Sequence, residues 1–392
     1  MPRNVWVLSG IALAVAVGFG VVSPVLPMYA SSFGVNEFAA GAVIAAFALM
    51  RFVAAPVVGR LDDKFGHRVV LMSGLLIVAV SSALAGLARN YAELITLRGI
   101  GGVGSAMFSV AGMTVLLSSV DAEHRGRASG MWQGGFLVGA VAGPALGGVF
   151  AAISIRAPFF FYAGTLLVAA LITLGLTPVN VAGPSQQTTA ARPFGEVLRD
   201  VRFQAACLAH LAGGWNNNGT RSTLVPLFVA AFIGASTTES ALLTGIAMAV
   251  AAGVQIVLVM PSGYVVDKVG RRIPMIAGAA IAGASLLLMP FANEIWILTA
   301  ALCVYAAGSA LMGTAPAATV GDTAGGDRAV AAYSMAGDLG SIAGPLVAGA
   351  LAAAIGYAPA FAVGAAIWLV SALASARMPR SDFVRDPGTS PG

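Results

Sequence analysis

Residues 59–68 read Gly-Arg-Leu-Asp-Asp-Lys-Phe-Gly-His-Arg, and residues 263–272 read Gly-Tyr-Val-Val-Asp-Lys-Val-Gly-Arg-Arg. This pair of segments, which we call the loop motif, recurs after 204 residues. Each copy follows one long apolar run and precedes another, which indicates that a membrane unit has been doubled. Internally repeated membrane bundles are typical of transporters, in which the substrate binds between the two halves.

The composition is that of an integral membrane protein. Hydrophobic residues make up 58% of the 392 residues and charged residues 9%, and the mean hydropathy is +0.88. Soluble domains contain about 25% charged residues. The formal charge of +5 is expected on cytoplasmic loops and does not indicate a nucleic-acid partner. Cys207 and Cys303 lie in apolar runs without metal-ligand spacing, so we expect neither a metal nor a cofactor.

Apolar runs of about 20 residues, the length that crosses a bilayer, divide the chain into twelve predicted spans. Numbered 1 to 12, they cover residues 5–30, 36–58, 69–88, 92–117, 128–153, 157–177, 204–233, 239–261, 273–291, 294–318, 329–354 and 357–377. The prediction is an all-α integral membrane protein with twelve transmembrane helices in two pseudo-symmetric six-helix bundles. The bundles are predicted at residues 1–177 and 204–378, with a cytoplasmic linker at 178–203 and a disordered cytoplasmic tail at 379–392.

The distribution of basic residues predicts the orientation. With a cytoplasmic N-terminus, 16 of the 21 Lys and Arg residues fall in cytoplasmic segments and two fall outside. Because Lys and Arg accumulate on cytoplasmic loops, both termini are predicted to be cytoplasmic. We expect a multi-pass monomer in the inner (plasma) membrane whose partners are the lipid bilayer, a small-molecule substrate and protons.

The repeat continues beyond the loop motif at an offset of 201, which equates Glu93 with Glu294 and Arg127 with Arg328. We therefore expect the halves to differ by about three residues within spans 3–4 and 9–10. The glutamates are predicted to begin their helices, where carboxylates interact favourably with the helix dipole.

The loop motif resembles the signature between spans 2 and 3 of major facilitator superfamily transporters. Glycine at both ends of the motif is expected to let the chain leave one helix and enter the next. The resemblance implies a gating role for these positions, which are Gly59, Asp63, Gly66, Arg68, Gly263, Asp267, Gly270 and Arg271.

Span 5 resembles, more narrowly, the twelve-span drug:proton antiporters, whose fifth span carries Gly-x3-Gly-Pro-x2-Gly-Gly. Small residues at this spacing let helix backbones approach closely. The predicted helix-packing residues are Gly139, Gly143, Pro144 and Gly147, together with Gly344 and Pro345 of the repeat.

The resemblance implies proton-coupled efflux of small amphipathic compounds by alternating access. Val15 stands where tetracycline-type exporters carry an acid in the first span, so the chain departs from the pattern there. The alternatives are a uniporter or symporter of a small metabolite (an organic acid, amino acid or sugar) on the same fold and, more remotely, a non-transporting membrane sensor or lipid-handling protein.

Asp338 is the one acid that the segmentation places well inside a span. Intramembrane charges are costly unless they are paired or face water, so they are functional candidates. Asp338 is predicted to carry protons, together with His210 and with Arg98, which resembles the fourth-span arginine linked to proton coupling in the family. Asp338 can equally be a static partner of an intramembrane arginine (Arg51, Arg98 or Arg221) or of the loop motif.

Span 7 contains an unusually polar run at residues 215–221. Asn217 and Arg221 are four residues apart and share a helix face. With Arg51 and its repeat counterpart Gln255 they are predicted to bind substrate. Three intramembrane arginines against one acid suit an anionic or zwitterionic substrate better than a cation.

Overall fold

The computed structural model describes residues 2–121, 124–175, 193–234, 236–313, 315–323 and 326–379. These residues form a helix at each of the twelve predicted positions. Those of the first half are Arg3–Val22 and Leu26–Ser31 (span 1), Glu37–Phe65 (2), His67–Gly86 (3), Tyr91–Ser118 (4), Arg125–Ile153 (5) and Ala157–Ile172 (6). After the short helix Phe194–Arg199, those of the second half are Val201–Phe232 (span 7, in three parts), Thr237–Val269 (8), Arg272–Leu288 (9), Ile295–Met312 and Ala315–Asp322 (10), Gly326–Ile355 (11) and Tyr357–Ala376 (12).

Most of these helices are suited to a bilayer. In the described ranges, nine helices are long and apolar enough to cross a membrane, and shorter apolar helices lie in spans 5 and 6. Span 7 is absent from both groups because its middle is polar. The protein is therefore an all-α, multi-pass membrane protein. The described part leaves out the end of predicted span 6 (residues 176–177), residues 178–192 of the predicted linker, residues 380–392 of the predicted tail and the Asp267 side chain.

The predicted turn at Gly59 was wrong. Spans 2 and 8 continue as helices to Phe65 and Val269, about two turns beyond the first glycine of each loop motif. Only the second glycine turns the chain: Gly66 has φ +84° and Gly270 has φ +81°, a region that favours glycine. A single glycine inside a helix costs only about 1 kcal/mol, so the first glycine does not end either helix.

The repeat is visible where helices cross. A Cβ atom on Gly74 of span 3 would lie 2.7 Å from the Gly104 carbonyl oxygen in span 4. A Cβ atom on Gly278 of span 9 would lie 2.6 Å from the Gly308 carbonyl oxygen in span 10. Both pairs are related by an offset of 204, so the halves keep one register through these spans.

The halves were expected to differ by about three residues within spans 3–4 and 9–10, but the difference in length lies in the connection after span 4. The starts of spans 4 and 10, Tyr91 and Ile295, also differ by 204, so matching Glu93 with Glu294 was wrong. Span 4 ends at Ser118 before span 5 begins at Arg125, whereas residues 323–325 suffice between spans 10 and 11. A loop between two helices tolerates a change in length. An insertion within a helix would instead move apart the glycines at which two helices are in backbone contact.

Two large hydrophobic clusters divide the interior along the chain. Buried side chains of the first cluster come from residues 5–170, with Leu227 added from span 7. Those of the second cluster come from residues 205–378. Each half thus has a core of its own.

Span 5 lies against span 1 through its glycines. A Cβ atom on Gly143 would lie 2.5 Å from the Gly20 Cα atom. In the second half, a Cβ atom on Gly344 of span 11 would lie 2.6 Å from the Trp215 carbonyl oxygen in span 7. Gly139 and Gly147 of span 5 are likewise closed in by the span 1 backbone. Equivalent glycines therefore bring spans 1 and 5, and spans 7 and 11, into backbone contact.

Gly143→Ala is expected to destabilise the protein, whereas Gly134→Ala is expected to leave it unchanged or slightly more stable. The new methyl of the first variant meets backbone atoms of span 1, and overpacking of this kind costs about 1–3 kcal/mol. A Cβ atom on Gly134, in the same helix, has nothing within 4 Å. Thermal unfolding of the purified variants in detergent is the measurement. Equal melting temperatures would show that the span 1–span 5 contact is loose.

Candidate functional site

A cavity of about 590 Å³ lies between the two halves. Spans 1, 2, 4, 5 and 6 contribute to it from the first half, and spans 7, 8 and 11 from the second. The two sides differ in chemistry. The first half supplies aromatic rings and the second half supplies most of the polar groups. The aromatic residues are Phe19, Phe47, Phe108, Phe136 and Tyr162, which we call the aromatic wall; the polar residues are His210, Asn217, Asn218, Arg221, Ser222, Asp338 and Ser341.

The rings of the aromatic wall contact one another in two groups. The Phe19 ring lies 5.9 Å from that of Phe47 and 6.5 Å from that of Tyr162, measured between centroids. The rings of Phe108 and Phe136 are 6.3 Å apart. These separations allow tilted and edge-on ring contacts. The wall therefore offers an apolar surface suited to a flat ligand.

One ion pair crosses the cavity. Arg51 of span 2 donates through Nη2 to the Asp338 Oδ1 atom of span 11 at 2.7 Å. The side chains are 38% and 28% exposed, respectively. The pair joins the two halves, and among the described residues that line the cavity Asp338 is the only acid.

Arg98 lies deep beside the aromatic wall. Its side chain is only 4% exposed, and its guanidinium carbon stands 4.4 Å from the centroid of the Phe47 ring. Its Nε atom is buried without a hydrogen-bond partner. Arg98 therefore lines the cavity as a cation held by a ring face and not by a carboxylate.

Span 7 changes helix type at the cavity. Residues Asn216–Leu224 form a π-helix between two α-helical parts, and π-helical turns often occur at functional sites. Asn217 faces the cavity and accepts a long hydrogen bond, 3.5 Å, from Arg221 Nη1. Asn218 also faces the cavity and donates to the Ser341 Oγ atom at 3.1 Å. Sequence reasoning found the polar run but missed the π-helix and Asn218.

Asn216 points away from the cavity and is fully buried. It donates to the Gly364 carbonyl oxygen at 3.2 Å and accepts from the Thr220 hydroxyl at 2.9 Å. It therefore fastens span 7 to span 12.

His210 lines the cavity beside Asp338. Its ring is stacked on that of Tyr333, with 4.1 Å between centroids. Its other neighbour is Gly337, where any side chain would meet the imidazole. The ring is thus held by packing and stands next to the acid of the ion pair.

Gln255 is not among the described residues that line the cavity; span 8 contributes Met248, two turns away, instead. The offset of 204 equates Arg51 with Gln255, and the offset of 201 that relates spans 5 and 11 equates the partner Asp338 with Leu137. The repeat counterpart of the Arg51–Asp338 pair, Gln255 and Leu137, therefore contains neither an arginine nor an acid. Similar depth in the membrane was not sufficient to place Gln255 at the cavity.

The loop motif lies far from the cavity, at the ends of the helices. Arg68 donates to the Leu174 carbonyl oxygen at 2.6 Å, and Arg272 donates to the Ala376 carbonyl oxygen at 2.5 Å. Each arginine thus satisfies a carbonyl at the end of the sixth helix of its half, as basic side chains do at helix C-termini. Arg272, not the predicted Arg271, is therefore the structural counterpart of Arg68. Arg271 donates to the Ala318 carbonyl oxygen instead.

The aspartates of the first loop motif differ in environment. Asp63, the predicted gating acid, is exposed. Asp62 is buried and lies 2.6 Å from the Nδ1 atom of His67. Gly59 and Gly263 have open space around the position of a Cβ atom, so no close contact requires glycine there.

The halves touch at the end of the cavity opposite the loop motif. A Cβ atom on Gly41 of span 2 would meet the Pro345 carbonyl group of span 11. A Cβ atom on Gly245 of span 8 would lie 2.7 Å from the Gly148 Cα atom of span 5. The Ser23 hydroxyl donates to that of Ser222 at 3.2 Å. These contacts close one end of the cavity with small residues.

The sequence matches a known family over most of its length. The model of the Major Facilitator Superfamily matches residues 8–258 and 211–390. The chain belongs to the major facilitator superfamily. Quinolone resistance protein NorA of Staphylococcus aureus (strain MRSA252) is 32% identical over 195 residues, 48% of this chain and 48% of that protein. Multidrug resistance protein 1 of Bacillus subtilis (strain 168) is 32% identical over 158 residues, 40% of each. The chain thus spans about half the length of the curated relatives that it matches.

Solved structures of the major facilitator superfamily fold cover almost the whole chain. The nucleoside transporter NupG has a TM-score of 0.71 at 14% identity and covers 95% of this chain and 99% of its own. A bacterial homologue of the human lysosomal transporter Spinster has a TM-score of 0.71 at 16% identity, with coverage of 95% and 94%. At these identities the likeness establishes the fold alone.

Proposed function

We propose that this protein exports small amphipathic compounds across the cell membrane by alternating access, driven by inward flow of protons. The observation that carries the proposal is the Arg51–Asp338 ion pair, which joins opposite halves across a cavity large enough for a small molecule. Ligand cavities commonly have volumes of about 300–1,000 Å³. The names of the matched relatives, a quinolone resistance and a multidrug resistance protein, support efflux of drugs.

Asp338 is the proposed proton carrier. A proton on its carboxylate removes the negative charge that holds Arg51, and a charge-assisted hydrogen bond becomes a weaker one. Protonation would then loosen the contact that Arg51 and Asp338 make between the two halves. His210, which stands next to Asp338, and Arg98 in the same cavity are the further groups that we propose to influence this step.

The proposed orientation places both termini and both loop motifs on the cytoplasmic side, because the basic residues accumulate there. The contacts at Gly41 and Gly245 then close the outer end of the cavity. The proposed state is inward-facing, the loop motifs act as gating elements, and the two bundles at residues 1–177 and 204–378 move against each other. The protein is proposed to act as a monomer in the inner (plasma) membrane.

A metabolite uniporter or symporter is the second candidate function, because Arg98 and Arg221 line the cavity without a carboxylate partner among the described residues. Such a site suits organic acids. A non-transporting sensor or lipid-handling protein would leave the ion pair between the halves without a role.

Efflux is tested by expression in a drug-hypersensitive bacterial strain. We expect increased resistance to several amphipathic drugs. In inside-out vesicles with an acidic lumen, we expect drug added outside to be taken up while protons leave the lumen. Asp338→Asn serves as the matched inactive control. If resistance is unchanged while cells gain growth on, or excretion of, an organic acid, the second candidate is correct and drug efflux is not.

A further inference from the structure

Arg98 is the group of the cavity that the proposed mechanism leaves without a partner. It lines the cavity, is 4% exposed and has a buried Nε atom without a hydrogen-bond partner. In the residues that the structure describes, no carboxylate, carbonyl or hydroxyl oxygen accepts a hydrogen bond from it. Arginine keeps its positive charge in proteins, so a full charge stands beside the cavity.

Such a charge is costly unless a partner compensates for it. The face of the Phe47 ring, 4.4 Å from the guanidinium carbon, supplies part of that compensation through a cation–π contact. A ring face occupies one side of the planar group and uses none of its N–H donors. The hydrogen-bonding capacity of Arg98 therefore remains available to a ligand.

The other two arginines of the cavity are engaged. Arg51 donates to Asp338 at 2.7 Å. Arg221 donates to Asn217, and its side chain also lines a small pocket beside Tyr305 in the core of the second half. Arg98 is thus the arginine best placed to receive an anion.

The surroundings of Arg98 specify what the rest of the ligand looks like. Phe47 contacts Phe19, and Phe19 contacts Tyr162, at centroid distances of 5.9 and 6.5 Å. These rings form the part of the aromatic wall next to the guanidinium, and they favour a flat aromatic body. A guanidinium fork matches a carboxylate with two parallel hydrogen bonds.

We infer that the cavity binds aromatic carboxylates, with Arg98 donating to the carboxylate and the aromatic wall holding the ring system. The inference rests on the proposed function, because it names the substrate class of the same cavity. A zwitterionic drug that carries an aromatic acid group has the carboxylate and the ring system that this site requires, as does a simple aromatic acid. A lipophilic cation does not.

The test measures binding to the purified full-length protein without a pH gradient, so that proton coupling plays no part. The probes are 2-naphthoate and the neutral 2-naphthamide, which have nearly the same shape. We expect the wild-type protein to bind 2-naphthoate at least about tenfold more tightly, as the loss of one charge-assisted contact implies. Arg98→Gln should abolish this preference by weakening 2-naphthoate binding far more than 2-naphthamide binding, and Arg98→Lys should restore part of it.

Arg89→Gln is the charge-matched control, because Arg89 is exposed between spans 3 and 4; it should keep the wild-type preference. If Arg98→Gln does not fold, the wild-type preference and Arg98→Lys decide. Equal wild-type affinity for the two probes, or an unchanged preference in Arg98→Gln, would overturn the inference. If neutral and cationic drugs are still exported in that case, the proposed function stands; if no compound is exported, both fail.

Discussion

Asp338→Asn is expected to abolish transport driven by a pH gradient while leaving the protein folded. The amide can still accept a hydrogen bond from Arg51, but it can neither bind nor release a proton. Both members of the pair are about a third exposed, so water screens their interaction and its loss changes stability by about 0–1 kcal/mol. The effect therefore falls on coupling and not on folding.

Proteoliposomes separate the two effects. Uptake against a gradient should fall to the level of empty liposomes, whereas exchange of labelled for unlabelled substrate, which needs no net proton movement, should continue. Arg51→Gln is the matched control, since it breaks the same ion pair but retains the titratable carboxyl. Full pH-gradient dependence in Asp338→Asn would show that the proton travels by another route.

Hydropathy together with charged and turn residues was sufficient to predict all twelve helices, because most membrane spans present about 20 apolar residues to lipid. It also predicted that the repeated halves meet around polar groups. Helix ends were harder to predict: spans 2 and 8 extend through charged residues to Phe65 and Val269. Beyond the hydrocarbon core a helix can be polar, so hydropathy no longer marks where it stops.

The partner of Asp338 could not be read from the sequence. Arg51, Arg98 and Arg221 all lie within spans at related depths, and sequence position does not determine which way each helix is rotated. Packing of span 2 on span 11 selects Arg51, 287 residues away in the chain. Because sequence position does not determine how a helix is rotated, it also could not show that Gln255, which has the expected depth, does not line the cavity. The π-helix of span 7 has no sequence signature that hydrophobic periodicity detects.

Gly41→Val is expected to open the end of the cavity opposite the loop motif and to stop the transport cycle. The new Cβ atom would meet the Pro345 carbonyl oxygen and would lie 2.9 Å from the carbonyl carbon. Backbone atoms cannot move aside as a flexible side chain does. Because the two halves have separate hydrophobic clusters, the strain is relieved by parting spans 2 and 11, and each half keeps its fold.

Labelling rates would reveal the shift. Ser222 lies at the closed end, where it accepts a hydrogen bond from Ser23, so Ser222→Cys in a protein with Cys207 and Cys303 replaced by Ser reports access from that side. Overpacking costs about 1–3 kcal/mol, which changes the ratio of the open to the closed state of this end by roughly fivefold to a hundredfold. Labelling of Ser222→Cys by a membrane-impermeant maleimide should become faster by a similar factor. Gly164→Val is the control, since a Cβ atom there has nothing within 4 Å. If both variants are labelled at the same rate, the Gly41–Pro345 contact does not hold this end closed, and closure must rest on the span 5–span 8 contact at Gly148 and Gly245.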